Sequence, residues 1–118
     1  MTQEEKQILL KDLCARLIYG VMCDRLGQPK KLLSVSPNKD YCIELDNGVY
    51  SPNEYKIEDV KPYLRPMASM TEEERNELSH YENSVQRTDF LYSHHIDCRY
   101  MIEKGLALEA PEDIYKNI

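Results

Sequence analysis

The chain changes its hydrophobic period twice. Over residues 2–18 and again over 71–104, apolar residues recur every three to four positions, and between about Gly20 and Arg65 they tend to alternate. A period of about 3.6 specifies helices that bury one stripe, and a period of about two specifies strands that bury one face. A helix–sheet–helix order within 118 residues fits one domain of the α+β class built around one core, residues 1–118.

The first helix is predicted over 2–18. Thr2 and Glu5 have capping-box spacing, in which each side chain satisfies the other's free backbone amide. Ile8, Leu9, Leu10, Leu13, Cys14 and Leu17 form the stripe, Glu4, Lys6, Lys11 and Arg16 lie mostly off it, and Gly20 stops the helix. A helix of this length needs a surface to pack on, and the strand region is the nearest.

Residues 20–66 read as sheet. Val21–Leu26 leads to a turn at Gly27-Gln28-Pro29, Lys31–Ser36 to a second at Pro37–Asp40, and Tyr41–Asp46 to Asn47-Gly48, whose residues tolerate positive φ in a hairpin. Val49-Tyr50 begins a returning strand that Pro52 places on an edge. Lys56-Ile57 adds a short pairing, Glu58–Lys61 a single helical turn, and Tyr63–Arg65 closes the sheet. Short strands with tight turns predict a small bent antiparallel sheet or a five-stranded barrel. The helical turn before the last strand matches Tudor-like and Src-homology-3-like barrels, an analogy of fold alone.

Residues 71–110 read as a helical arm of two or three helices. Thr71 and Glu74 repeat the capping box, and a helix over about 71–84 is expected to bury Leu78, Tyr81 and Val85. Thr88 or Asp89 is expected to cap the next helix, with Leu91, His94, Cys98, Met101 and Ile102 on its stripe. That stretch reads as one helix to Gly105 or as two with a break near Ile96-Asp97. Leu106–Ala110 is an apolar tail ended by Pro111, and the last residues are expected to fray.

Charge separates these regions. Residues 1–66 hold ten acids and ten bases, whereas residues 67–118 hold eleven acids and five bases, so the arm carries the whole net charge of −6. A uniform polyanion binder needs the opposite sign. An acidic arm serves solubility, and it also suits a basic partner.

Few residues carry obvious chemistry. Cys14, Cys23, Cys42 and Cys98 share no CxxC spacing, so a zinc site on them is not expected. The one concentrated set of reactive types is His94, His95, Asp97 and Cys98. Adjacent helical residues point about 100° apart, which leaves His94 and Cys98 as two ligands where structural zinc needs about four. The plain expectation buries His94 and Cys98 in part, exposes His95, and assigns no catalytic residue, metal or cofactor. Nine tyrosines stand against one Phe and no Trp. Tyr41, Tyr50, Tyr55 and Tyr63 fall in the strand region among Lys30, Lys31, Lys39, Lys56, Lys61 and Arg65. Of these, the four tyrosines with Lys30, Lys31 and Arg65 are the candidate binding residues, because aromatic and cationic groups together can stack bases or hold a protein. No run of about 18 apolar residues predicts a membrane span, and the charged start lacks a signal-peptide core, so a cytoplasmic location is expected.

Three stretches carry a resemblance: Lys11-Asp-Leu-Cys-Ala-Arg-Leu17; Val60-Lys-Pro-Tyr-Leu-Arg-Pro-Met67 running into Ser69-Met-Thr-Glu-Glu-Glu74; and Ile102-Glu-Lys-Gly-Leu-Ala-Leu-Glu-Ala-Pro111. Together they resemble a group of short proteins of no assigned activity encoded in phages, prophages and mobile regions of gut anaerobes. That group tends to have Pro where this chain has Ile18, and Asp97–Tyr100 diverges from it. The resemblance implies a small accessory protein inside a bacterial cell. The leading expectation is a non-catalytic binding module for a host or phage protein or a small ligand, inhibition of host defence being one concrete version. Nucleic-acid binding by the sheet and a metal site at His94/Cys98 are the alternatives. The sequence leaves the oligomeric state and the choice of face open. A sheet face plugged by the first helix would move function to the acidic arm.

Overall fold

The computed structural model describes residues 1–48 and 53–115. Its elements are α1 (Gln3–Arg16), β1 (Met22–Arg25), β2 (Gln28–Val35), β3 (Ile43–Leu45), β4 (Glu54–Tyr55), β5 (Lys61–Leu64), α2 (Glu72–His80), α3 (Ser84–Ser93) and β6 (Leu108–Glu109). The architecture is α+β, with an N-terminal helix on an open, mixed, six-stranded sheet of order β4-β3-β2-β1-β5-β6.

Helix α1 starts where its capping box predicts: Thr2 N–H donates to Glu5 Oε1 at 2.8 Å, and Glu5 N–H donates to Thr2 Oγ1 at 3.0 Å. It tightens into a 3₁₀ turn over Leu17–Tyr19 and stops at Gly20, whose φ of 71° is left-handed. Leu9 and Leu13 are fully buried against Val21, Leu32, Ile43 and Leu45, each contributing about 2 kcal/mol of hydrophobic stabilisation. Packing of this kind holds the helix in place and seals the apolar face of the sheet. Two residues depart from the expected stripe. Cys14 is exposed, and Arg16, expected on the polar side, is completely buried.

The β1–β2 register sets Arg25 opposite Gln28. The turn is therefore Leu26-Gly27, with φ of 54° and 83°, one residue earlier than predicted, and Gln28 and Pro29 belong to β2. A two-residue turn with both φ positive matches the twist of the flanking strands. Strand β2 is eight residues long, shifts register between Leu32 and Ser34, and pairs with both β1 and β3. In the β3–β4 pair Ile43 faces Tyr55, and Leu45 N–H donates to the Asn53 carbonyl. The connection thus spans 46–53 and is no two-residue hairpin at Asn47-Gly48. The expected strand at Val49-Tyr50 and the edge role of Pro52 fall outside the described residues. Lys56-Ile57 does not pair as a strand. A 3₁₀ turn over Ile57–Asp59 takes its place, and β5 then returns antiparallel to β1, with Cys23 opposite Pro62.

The apolar tail forms β6, parallel to β5, with Tyr63 opposite Leu108. A parallel pair needs a long crossover, and the helical arm supplies it. Helix α2 has the predicted second capping box but ends at His80. Asn83 Oδ1 accepts the Val85 N–H at 2.7 Å, which starts α3 at Ser84 and not at Thr88 or Asp89. Val85 consequently sits on the first turn of α3 with 65% of its surface exposed, outside the stripe assigned to it. Leu78, Phe90, Met70 and Ile96 form a separate small core for the arm. Helix α3 ends before Ile96, which bridges to Arg65. Asp97 then accepts the N–H groups of Met101 and Ile102 at 2.8 and 3.0 Å. The chain does break near Ile96-Asp97, and Asp97 caps a series of turns, not a new helix.

Candidate interaction surface

The tyrosines and cations of the strand region have separate tasks. Tyr55 is buried beneath the Arg25 guanidinium, which lies 4.6 Å from its ring centre, and its hydroxyl meets the Asn47 side-chain amide. Tyr63 is buried and donates to Asp24 Oδ1 at 2.7 Å. Burial, and then this bond, push its phenol up to about 12. Tyr41 is exposed, with the Lys56 ammonium 5.5 Å from its ring centre. Tyr50 lies outside the described residues. Lys30 and Lys31 are neighbours on β2, so their side chains leave on opposite faces. Among the described residues, Tyr41, Tyr55 and Tyr63 each have a different partner.

Arg65 ties the sheet to the arm. Its Nη1 and Nη2 donate to the two Glu74 carboxylate oxygens at 2.8 and 2.7 Å, a bidentate pair. Nη2 also donates to the Ser69 carbonyl. The paired carboxylate in turn raises the guanidinium's pKa. Glu74 also accepts the Thr71 N–H, and its carboxyl is held down at about 2, first by the Arg65 bond. His94 Nδ1 is 3.1 Å from Glu74 Oε2, and its ring packs on Phe90. Cys98 lies elsewhere, beside Tyr92, where burial pushes the thiol up. His94 and Cys98 thus face different partners. Among the described residues, no three His, Cys, Asp or Glu side chains are grouped to hold a metal ion.

A buried polar network lies under α1. Arg16 Nε donates to Asp12 Oδ2 at 2.7 Å, and both side chains are fully buried. Arg16 Nη2 donates to the Ile96 carbonyl at 2.7 Å, with the guanidinium over the Tyr92 ring. Arg99 Nε is 3.5 Å from Asp12 Oδ1, and Arg99 Nη2 donates to Tyr92 Oη at 3.0 Å. Burial raises the Asp12 carboxyl against the pull of Arg16. His95, expected at the surface, is buried with φ 61°. Its ring stacks on Tyr115 at 3.7 Å, and burial, then Arg16, lower its pKa to about 4. Beyond the Cys23–Pro62 pair, the Tyr115 hydroxyl bridges β1 and β5. It accepts the Met22 N–H at 2.9 Å and donates to the Tyr63 carbonyl at 2.7 Å. This ring anchors Tyr115; the last three residues, 116–118, for which fraying is expected, lie outside the described residues. The network closes the fold and offers no open reactive group. One signal for it was in the sequence: Asp12 and Arg16 have the i, i+4 spacing of an ion pair, and Arg16 continues the Leu9–Leu13 face.

The arm presents a different surface. Glu72, Glu73, Glu77, Glu82 and Asp89 are exposed. Among the described residues, Glu72, Glu73, Glu82 and Asp89 form no ion pair. The arginines of α2 and α3 turn to backbone carbonyls: Arg75 to Met70, and Arg87 to Leu78 and Tyr81 at the end of α2. These bonds satisfy terminal carbonyls and leave the carboxylates facing solvent beside exposed Val85. Among the described residues, no helix is long and apolar enough to cross a membrane. The chain matches no known protein family, no curated protein and no solved structure.

Proposed function

We propose that the chain is a small phage or mobile-element accessory protein that works without catalysis, in the bacterial cytoplasm, by binding a host or phage protein. One observation carries the choice of surface. Helix α1 seals the apolar face of the sheet and Tyr55 and Tyr63 are buried, whereas Glu72, Glu73, Glu82 and Asp89 on the acidic face of α2 and α3 are exposed and form no ion pair among the described residues. A basic protein surface is the complement of such a face, and inhibition of a host-defence protein is a concrete form of this role. The β1–β5 unit, with its 3₁₀ turn and a last strand returning to the first, supports a relationship to Tudor-like or Src-homology-3-like barrels in opened form. No specific observation favours the nucleic-acid or metal alternatives.

The test is capture of partners from bacterial lysate by the parent chain and by a Glu72→Gln/Glu73→Gln/Glu77→Gln variant that retains Glu74. A partner held by the parent, released by salt at about 0.5 M and absent from the variant is expected. Equal retention by both chains removes the arm as the contact surface.

A further inference from the structure

A second feature stands apart from the arm. A cleft of about 420 Å³ opens where the first turns of α1 meet the β2–β3 connection and the 3₁₀ turn over Ile57–Asp59. That volume lies within the range of small-molecule sites, about 300–1,000 Å³.

The lining has two parts. Leu10, Cys42 and Ile57 supply apolar surface, with Cys42 buried and the other two half-buried. Burial raises the Cys42 thiol, so it stays protonated. Lys6, Lys39 and Lys56 supply cations, and Gln3 and Gln7 supply amide donors from α1. Two acids also line the cleft, Glu58 and Asp40. Glu58 is paired with Lys6 at 2.8 Å, while Lys39 and Lys56 form no ion pair among the described residues. One acid therefore stands against two ammonium groups, a local positive balance on a chain of net charge −6. The exposed ring of Tyr41, outside the lining, adjoins the Lys56 ammonium at 5.5 Å.

We propose that this cleft binds a small organic anion: a phosphate or carboxylate carried on a flat apolar body. The ammonium groups of Lys39 and Lys56 take the charged end. The apolar lining takes the body. Two attractions of different kind are needed because exposed lysines alone discriminate poorly among anions, whereas apolar area buried beside them adds affinity for one class.

The experiment is a titration of the full ¹⁵N-labelled chain, at low salt, with adenosine monophosphate, benzoate and inorganic phosphate. Saturable amide shifts at residues 39–42, 56–58 and the first turns of α1 are expected for at least one of the two organic anions, with a dissociation constant of about 1 mM or tighter. Lys39→Gln/Lys56→Gln should weaken that binding about tenfold or more, equivalent to about 1.4 kcal/mol, while Lys104→Gln, remote on the acidic half, should leave it unchanged. Whether the nucleotide or the aromatic carboxylate binds more tightly identifies the source of the anion. Three results would overturn the proposal: no saturable shift with either organic probe, equal binding of inorganic phosphate, or equal weakening by Lys104→Gln.

Discussion

Glu74→Gln tests whether Arg65 is a structural cation or an available one. The substitution keeps the shape of the side chain and removes the charge that two guanidinium nitrogens and the Thr71 amide engage. The Glu74 carboxyl falls from an ordinary 4.5 to about 2 in the folded chain. At about 1.4 kcal/mol per pH unit, that shift would be worth about 3 kcal/mol in a fully shielded site. The two side chains keep 25% and 15% of their surface exposed, and solvent screening reduces the expectation to about 1–2 kcal/mol. Because the folded value is depressed, the stabilisation is complete above the unfolded value of 4.5 and disappears as pH falls towards about 2. Urea unfolding followed by circular dichroism should show the parent more stable than the variant at about pH 7, with the gap closing through about pH 3. Arg65→Met should also cost less in the Glu74→Gln background than in the parent. A gap below about 0.5 kcal/mol at neutral pH, or one that does not change with pH, would refute the reasoning and return Arg65 to the pool of cations open to an anionic partner.

Three further outcomes follow from the same geometry. Arg16→Met alone leaves the Asp12 carboxylate buried without its main partner and should cost about 3–5 kcal/mol in urea unfolding, while adding Asp12→Leu should recover most of the loss; equal stability of the single and double variants would contradict this. Leu26→Asn replaces an 84% exposed leucine at φ 54° with a residue suited to that turn, and should raise stability by about 0.5–1 kcal/mol, read as a higher thermal midpoint; an unchanged or lower midpoint argues that Leu26 is held by contacts absent from an isolated hairpin. A thiol reagent at mildly alkaline pH should label exposed Cys14 first, whereas Cys23, buried and pushed up to about 12, should react only on unfolding; mass spectrometry showing Cys23 modified as fast as Cys14 would overturn the placement of β1.

Local signals were the legible ones. Both capping boxes, the stop at Gly20 and the break near Ile96-Asp97 depend on contacts within a few residues, and the structure has each of them; the helical turn before Pro62 is also there, over Ile57–Asp59 and not Glu58–Lys61. The partners of the expected binding residues were not legible in this way. Tyr63, Tyr55 and Arg65 look like surface groups by type, yet their partners Asp24 and Glu74 for two of them, and the Arg25 cap over the third, come from other elements. No local pattern assigns such partners. The α2–α3 boundary was missed because Asn83 competes as a cap with Thr88 and Asp89, and propensity alone does not rank the three.

The amino-acid order determined the α+β class, the starts of α1 and α2 and the division into a charge-balanced sheet and an acidic arm, because periodicity, capping and net charge are properties of neighbouring residues. Tertiary structure alone decided what those elements mean for function. It buried Arg16 against the Ile96 carbonyl and the Tyr92 ring and stacked His95 on Tyr115. It turned an apolar tail into a parallel edge strand and set three lysines around one cleft. Each of these depends on groups far apart in the chain, for which burial and a distant counter-charge, not the residue's own type, determine whether a side chain is core, scaffold or surface.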